Sequence, residues 1–270
     1  MTVSYDLSGS VALVTGAAGD FGRTAALRLS GSGARVVLTD LELAGDELEN
    51  TRKQCAEVGS DHSVTTVTAD VADVASVKAC FDAASDRFGA PNLVFNNAGV
   101  QGALIGLPDY PPDDFPKVME VNVSGAFYVL RETARRLRAE GRGGSIVNSA
   151  SMAGVEGAAN MVAYSASKGA MMSMTRSASK DLAPLKIRVN AISPAFIGPG
   201  RMWDLQTVRQ AKAASQYYST DPAEVEREMV GMVPMRRVGT VDEVVATVLW
   251  LLSDESSYLT GQNIVVSGGI

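Results

Sequence analysis

Seven short runs of apolar and β-branched residues alternate along this chain with longer segments of helical spacing. The runs occupy 11–16, 35–40, 64–71, 92–99, 145–151, 187–194 and 263–269. Strands that are apolar along their whole length are typical of a parallel sheet covered on both faces. Segments 73–88, 113–140 and 241–253 show helical spacing between the runs. This βαβα order predicts an α/β fold with a doubly wound parallel sheet.

The domain organisation is judged from where the alternation of strands and helices is interrupted. No repeat or linker divides the chain, so residues 1–270 are predicted to form a single domain. The segment 195–234 is too long for a plain connection and is rich in Met, Trp and Tyr. It could be a pair of helices that cover the core. Because it follows the carboxyl end of a strand, it could equally be a substrate lid.

Charge and composition exclude several classes of function. The chain has 24 Lys+Arg against 30 Asp+Glu and no basic run, so nucleic acid is not an expected partner. No signal peptide or stretch of membrane-spanning length is visible, and we expect a cytoplasmic protein without membrane contact. Cys55 and Cys80 predict buried thiols, and the single histidine, His62, offers no basis for a metal site.

The first βα turn has the glycine spacing of a phosphate-binding loop. Gly16, Gly19 and Gly22 lie between the first apolar run and a helix predicted to start near Phe21. A helix start aims free N–H groups and a positive dipole end at one point. The turn, including Asp20 and Phe21, is therefore predicted to bind a dinucleotide pyrophosphate.

Asp20 conflicts with this role because its carboxylate would repel a phosphate. We expect the position to need a positive φ, which Asp tolerates, or the carboxylate to cap the helix. In either case its charge is expected to point away from the pyrophosphate.

The second run ends at Asp40, 24 residues after Gly16. A carboxylate at this spacing accepts hydrogen bonds from the adenosine ribose hydroxyls and repels a 2′-phosphate. No Lys or Arg follows in the segment that begins at Leu41, so NAD is favoured over NADP. Asp40 could also cap a helix, which is compatible with this role.

Tyr164 and Lys168 stand four residues apart, on one face of a predicted helix. A neighbouring ammonium favours the phenolate, so we expect Lys168 to lower the pKa of Tyr164. Tyr164 could then exchange a proton with a hydroxyl or ketone. Ser151 ends the fifth run and could polarise the same substrate oxygen, while Asn122 could hold a water that relays protons to Lys168.

These motifs together resemble the short-chain dehydrogenase/reductase family over essentially the whole chain. The matching stretches are TGAAGDFG, ADV at Asp70, NNAG, VNVSG, Ser151, YSASK and ISPAFIGPG. Two positions depart from the family pattern: Asp20 replaces the usual middle glycine and Ala195 a usual Pro-Gly.

The resemblance implies a Rossmann fold, a homotetramer built on helices 113–140 and 163–183, and a set of site residues. It implies a catalytic tetrad of Asn122, Ser151, Tyr164 and Lys168, with Tyr164 as the acid-base group. It also implies cofactor contacts beyond the glycine-rich turn, from Asp40, Leu41, Asp70, Val71, Asn97, Ala98, Gly99, Tyr164, Lys168, Pro194 and Ile197.

Within the family, the chain is most similar to bacterial NAD-dependent xylitol and related polyol or secondary-alcohol dehydrogenases. We therefore predict NAD-dependent hydride transfer between a secondary alcohol or polyol and its ketone, with a small-molecule partner and no metal. The alternatives are an NADPH-dependent ketoreductase and a non-catalytic nucleotide-sensing protein on the same fold.

The predicted lid leaves the polarity of the substrate open. An apolar or mixed pocket would use Met202, Trp203, Tyr217 and Tyr218, whereas a polyol would be held by Gln101, Asp204 and Gln206.

Overall fold

One seven-stranded parallel sheet lies at the centre of the computed structural model, which describes residues 5–270 apart from the side chain of residue 201. Every predicted strand is present. The strands are β1 (Val11–Thr15), β2 (Arg35–Thr39), β3 (Val64–Thr66), β4 (Leu93–Asn96), β5 (Gly144–Ser149), β6 (Ile187–Pro194) and β7 (Asn263–Val266). Their order is β3-β2-β1-β4-β5-β6-β7, and each neighbouring pair is parallel.

Helices cover both faces of the sheet, as the fully apolar strands predict. They are α1 (Asp20–Gly31), α2 (Gly45–Val58), α3 (Val74–Phe88), α4 (Asp114–Met119), α5 (Ala126–Glu140), α6 (Met152–Glu156), α7 (Val162–Leu182), α8 (Arg201–Lys212), α9 (Pro222–Met232) and α10 (Val241–Leu252). One core layer packs α1, α2 and α10 against the sheet. The other packs α3, α5 and α7 against the opposite face. The predicted doubly wound Rossmann fold is confirmed.

Strand order reverses at β1, which pairs with β2 on one side and β4 on the other. Connections from the two halves of the sheet therefore diverge and leave a crevice beyond the carboxyl ends of the strands. The glycine-rich turn follows β1, and the segments of Ser151 and Ile197 follow β5 and β6. The fold thus brings the predicted site residues to one edge of the sheet.

The predicted helix over 113–140 is present from residue 114 to 140, but it is not α-helical throughout. A π-helical segment, Glu120–Gly125, separates α4 from α5. Such segments widen a helix by one residue per turn and frequently occur at functional sites. Asn122 lies within it, and Gly125 approaches Val71 so closely that an added Cβ would lie 2.9 Å from the Val71 side chain.

Both interpretations of segment 195–234 hold in part. Helices α8 and α9 enclose a small apolar cluster of their own, formed by Trp203, Ala211, Val225 and Met229. They also extend over the crevice beyond β6. Ala195 keeps the strand pairing intact, because its N–H donates to the Val266 carbonyl at 3.0 Å.

The two cysteines are free and buried, as predicted. None of the helices between residues 5 and 270 combines the length and apolar character needed to span a bilayer.

The contact between α1 and the first turn predicts a specific effect on stability. An added Cβ at Gly22 would lie 2.1 Å from the Gly16 carbonyl oxygen, whereas one at Gly31, in the same helix, meets nothing within 4 Å. We expect Gly22→Ala to lower the free energy of unfolding by about 1–3 kcal/mol through overpacking. Gly31→Ala is expected to be neutral or stabilising by up to about 1 kcal/mol. Urea unfolding of both variants measures the difference, and equal midpoints would contradict the packing role of Gly22.

Candidate active site

A cavity of about 530 Å³ occupies the crevice beyond the carboxyl ends of the strands. It brings most of the predicted site residues together. Those that line it are Gly16, Gly19, Asp20, Phe21, Asp40, Asn97, Ala98, Gly99, Ser151, Tyr164, Lys168, Pro194 and Ile197. Gly22, Leu41, Asp70, Val71 and Asn122 are not part of its lining.

The glycine-rich turn forms an open cradle at the start of α1. Gly16 has a φ of 65°, a left-handed conformation in which a side chain would be strained. Gly19 is the N-cap of α1 and offers no side-chain acceptor to the free N–H groups of the first turn. The helix start therefore faces the cavity with unused donors and a positive dipole end, which suits an anionic pyrophosphate.

The two expectations about Asp20 are wrong. Asp20 is the first residue of α1, has a helical backbone and makes no capping hydrogen bond. The left-handed position of the turn is Gly16 instead. The carboxylate of Asp20 forms an ion pair with Arg23 at 2.6 Å, so a cation one helical turn away offsets part of its negative charge.

Asp40 lies beside the glycine-rich turn and lines the cavity. Its two carboxylate oxygens accept hydrogen bonds from the N–H groups of Ala18 and Leu41, each at 2.9 Å. It does not cap a helix, since Leu41 holds that place before the following short turn. A carboxylate has about four acceptor sites, so sites remain for other donors.

Leu41 and Asp70 line a second, shallower depression next to the main cavity. Asp70 accepts a hydrogen bond from the Ala72 N–H at 2.9 Å, and its own N–H donates to the Ser76 hydroxyl at 3.0 Å. Val71 is buried in the core layer beneath. Leu41 and Asp70 therefore lie beside Asp40 outside the main cavity, and Val71 lies in the core.

Thr15, which the sequence patterns did not single out, joins β1 to β4 at the floor of the crevice. Its hydroxyl accepts hydrogen bonds from the N–H groups of Asn97 and Ala98 at 2.9 and 3.0 Å. In the same place the Asn97 side chain donates to the carbonyls of Thr15 and Gly16 at 3.1 and 3.3 Å. The signal available in the sequence was a Thr immediately before Gly16, because its hydroxyl places an acceptor at the end of an otherwise apolar strand.

Asn122 is buried behind the cavity and holds two segments together. Its Oδ1 accepts from the Val100 N–H at 2.7 Å, and its Nδ2 donates to the Val100 carbonyl at 2.8 Å and the Ser167 hydroxyl at 2.9 Å. Its side chain is thus fully engaged with the NNAG segment and with α7. An added Cβ at Gly99 would lie 3.0 Å from Asn122 Oδ1 and 3.5 Å from Lys168 Nζ, which shows how close the three residues lie.

Lys168 is 4% exposed, and its ammonium donates to the Ser149 carbonyl at the end of β5, at 2.6 Å. Burial lowers its pKa to about 8, because removal from water disfavours the charged form. The charged form still predominates at neutral pH. Lys168 is thus a cation held at the base of the cavity.

Tyr164 lies one helical turn before Lys168, whose Nζ is 5.5 Å from the ring centroid. The prediction of a lowered Tyr164 pKa is wrong for this structure. Burial raises the pKa, and a hydrogen bond with Ser151 opposes the rise only in part. The phenol is therefore protonated at neutral pH. Ser151 is also the N-cap of α6, where its hydroxyl accepts from the Ala153 N–H at 3.2 Å.

The side of the cavity formed by the lid has a mixed lining. Of the residues predicted for it, Gln101, Met202, Trp203, Gln206 and Tyr218 line the cavity. Tyr217 is 63% exposed, and neither Tyr217 nor Asp204 is part of the lining. The sequence did not predict several lining residues, because only the packing of α6, of the start of α7 and of the lid places them at the cavity: Met152, Glu156, Met161, Phe196, Gln210 and Met232.

A helix start with free donors, an acid after the second strand, and a serine, tyrosine and lysine around one cavity together define a nucleotide-dependent oxidoreductase. The short-chain dehydrogenase model adh_short_C2, described as enoyl-(acyl carrier protein) reductase, matches residues 16–270. The chain belongs to the short-chain dehydrogenase/reductase family.

Its relatives are enzymes of alcohols and ketones. It is 33% identical to levodione reductase of Leifsonia aquatica over 96% of this chain and 93% of that protein. It is also 33% identical to sorbitol dehydrogenase of Cereibacter sphaeroides, over 97% and 98%. A crystal structure of NAD+-bound xylitol dehydrogenase is 45% identical, has a TM-score of 0.93 and covers 97% of this chain and 99% of that one. The chain is accordingly an alcohol dehydrogenase or ketone reductase.

The burial of Lys168 predicts how stability depends on pH. Its pKa falls from 10.5 in the unfolded chain to about 8 in the folded protein. Between these values the unfolded state binds more protons, so stability rises with pH across this window. We expect the free energy of unfolding of the wild type, minus that of Lys168→Met, to increase by on the order of 3 kcal/mol from pH 7 to pH 10.5. Urea unfolding at several pH values tests this, and a difference independent of pH would contradict it.

Proposed function

We propose that this protein is an NAD-dependent dehydrogenase that interconverts a secondary alcohol or polyol and its ketone. The observation that carries the proposal is that Ser151, Tyr164 and Lys168 share one cavity with the glycine-rich turn and Asp40. A dinucleotide bound along the crevice would thus extend from Asp40 to the tyrosine. No second cofactor is needed for hydride transfer.

The residues of the crevice fit such a dinucleotide. Gly19 leaves the start of α1 uncapped for the pyrophosphate, and Asp40 retains acceptor sites for ribose hydroxyls. Beyond them, Asn97, Ala98 and Gly99 line the path toward Lys168. When bound, the nicotinamide supplies a hydride acceptor for oxidation or a hydride donor for reduction.

Tyr164 would transfer the proton of the reacting oxygen. Because burial keeps the phenol protonated, it is ready to donate to a ketone, and Lys168 stabilises the phenolate that this step leaves. In the direction of oxidation the phenolate form of Tyr164, stabilised by Lys168, would accept the hydroxyl proton after the phenol has released its own proton to solvent. Ser151 would hold the substrate oxygen by a hydrogen bond, and Asn122 keeps α7 in place behind Lys168.

Asp40 and Asp20 both support NAD over NADP. Each places a carboxylate in the lining of the cavity. The described hydrogen bonds to the Asp40 carboxylate come from backbone N–H groups and not from a Lys or Arg side chain. A 2′-phosphate beside Asp40 would meet an uncompensated like charge. The NADPH-dependent ketoreductase is therefore the weaker alternative.

The named relatives agree with a hydroxyl or keto substrate. Two are described as acting on polyols, and the third as a reductase of levodione. The description of the family model names an enoyl reductase, but a tyrosine beside a serine and a lysine suits proton transfer at an oxygen atom. We further propose a cytoplasmic homotetramer with its subunit faces on α4, α5 and α7.

Removal of the Tyr164 hydroxyl should abolish turnover while sparing cofactor binding. We expect Tyr164→Phe to reduce kcat by at least about 10²–10⁴-fold, because the hydroxyl acts in the transition state. The affinity for NADH, measured by fluorescence titration, should stay within about threefold. Tyr258→Phe is the matched control, since Tyr258 is fully exposed. Substantial oxidation by Tyr164→Phe at any pH would exclude Tyr164 as the acid-base group.

Cofactor preference should depend on Asp40. We expect Asp40→Ser to narrow the ratio of kcat/KM for NAD over NADP by at least about tenfold, because a like charge beside the 2′-phosphate is removed. Asp46→Ser, at an exposed position in the first turn of α2, removes the same charge outside the crevice. Steady-state kinetics with both cofactors measure the ratio. Equal use of NAD and NADP by the wild type would refute the assignment.

A further inference from the structure

Gln210 is a buried amide that faces the cavity from the lid. It lies on α8, is 2% exposed and is part of the cavity lining. Its Oε1 accepts a hydrogen bond from Asn160 Nδ2 at 3.1 Å. Burial of an amide is costly unless its polar atoms find partners, so such a group at a cavity wall indicates a ligand that supplies one.

The nitrogen of the Gln210 amide has no hydrogen-bond partner among the residues that the structure describes. No hydrogen bond within the described chain involves Gln210 Nε2, and the only fully enclosed side-chain atom found there without a partner is Thr39 Oγ1. Nε2 is thus not enclosed by protein, and the cavity is the open space that Gln210 lines. If the side-chain amides of Gln210 and Asn160 are both rotated by 180°, Gln210 Oε1 faces the cavity instead of Nε2. A substrate hydroxyl can accept a hydrogen bond from Nε2 or donate one to Oε1, so it fits either orientation of the Gln210 amide.

Asn160 holds Gln210 in this position. It has a φ of 64°, and its carbonyl accepts from the Ile105 N–H at 2.9 Å. Its side chain donates to both Gln210 and the Ser215 hydroxyl, each at 3.1 Å. Because Asn160 immediately precedes the segment that enters α7, this contact ties the lid helix to the helix that carries Tyr164.

Outside the path proposed for the cofactor, the charge of the cavity lining disfavours an acidic substrate and suits a neutral polar one. Among the side chains that the structure describes, which do not include that of residue 201, the charged ones in the lining are the acids Asp20, Asp40 and Glu156 and the cation Lys168. A second amide, Gln206, stands one helical turn before Gln210 in the same lining. The two amides would meet hydroxyls on different carbons of one substrate.

We propose that Gln210, positioned by Asn160, hydrogen-bonds a substrate hydroxyl other than the one that reacts, and so selects polyols over monohydric alcohols. The inference rests on the proposed function and deepens it, because Ser151 and Tyr164 already serve the reacting oxygen. A site built to hydrogen-bond a hydroxyl disfavours an analogue that lacks it, since a buried amide is then left unpaired.

The test compares two polyols, xylitol and sorbitol, with cyclohexanol, which has a single hydroxyl. We expect Gln210→Met, which keeps the volume of the side chain, to lower kcat/KM by about 10–100-fold for at least one polyol. The loss should lie mainly in KM, and kcat/KM for cyclohexanol should change by less than about twofold. Gln262→Met, at an exposed glutamine beside β7, is the matched control and should change neither value.

Asn160→Gly removes the side-chain amide but keeps the backbone conformation, because glycine accepts the positive φ without strain. It should reproduce the selective loss for polyols, though to a smaller degree. Asn160→Asp keeps an acceptor for the flipped Gln210 amide and should restore part of the activity with polyols.

A binding measurement makes the result independent of turnover. Xylitol and sorbitol should raise the Tm of the NADH-bound wild type, and Gln210→Met should require about tenfold more polyol for the same rise. Equal losses for cyclohexanol and polyols would show a structural role for Gln210 and overturn the inference. So would unchanged kinetics with polyols, or a wild type that oxidises cyclohexanol but neither polyol. If polyols bind through Gln210 but NAD is not reduced with any alcohol, the proposed function fails and the recognition of hydroxyls stands.

Discussion

The reversal of strand order between β1 and β4 is the constraint on which the rest of the structure depends. Two connections leave these adjacent strands toward opposite faces of the sheet, so nothing fills the space beyond their ends. The Thr15 hydroxyl stabilises this junction by accepting two backbone N–H groups from the end of β4. In the opposite direction, the Asn97 side chain donates hydrogen bonds to the carbonyls of Thr15 and Gly16. These hydrogen bonds hold the glycine-rich turn and the segment after β4 together at the floor of the crevice.

The electrostatics of the crevice are unequal along its length. Near α1 the protein contributes unpaired N–H groups and a helix dipole, which attract phosphate, together with carboxylates that limit the charge the site accepts. Arg23 offsets Asp20, whereas Asp40 is held only by backbone N–H groups. At the other end of the crevice the buried ammonium of Lys168 donates a hydrogen bond to the Ser149 carbonyl. One end of the crevice thus combines free N–H groups with carboxylates, and the other end holds a buried cation.

The lid is a structural unit in its own right as well as a wall of the cavity. Helices α8 and α9 bury Trp203 and Met229 in a cluster separate from the two main core layers. This independent packing lets the cavity side of α8 carry polar groups without loss of the lid's own core. The side chain of Asn160, just before α7, links the lid to this part of the chain by donating to Gln210 and to Ser215. The proposed recognition of a substrate hydroxyl and the proposed proton transfer would therefore share this segment of chain.

The sequence was sufficient to predict the sheet, the glycine-rich turn and the set Ser151, Tyr164 and Lys168. Each of these depends on local patterns: apolar runs of strand length, glycines at fixed offsets, and a four-residue spacing on a helix. The same patterns placed Asp40 at the end of β2, because a strand that stops at the sheet edge brings its last polar residue into the crevice.

Other properties depend on contacts between residues distant in sequence, and only the tertiary structure decided them. Local pattern does not show that burial raises the pKa of Tyr164, an effect that its hydrogen bond with Ser151 opposes only in part. Nor does it show that Gln210, and not Asp204, faces the cavity. Electrostatic balance and side-chain direction depend on which surfaces exclude water, and that exclusion exists only once the lid has packed over the end of the sheet.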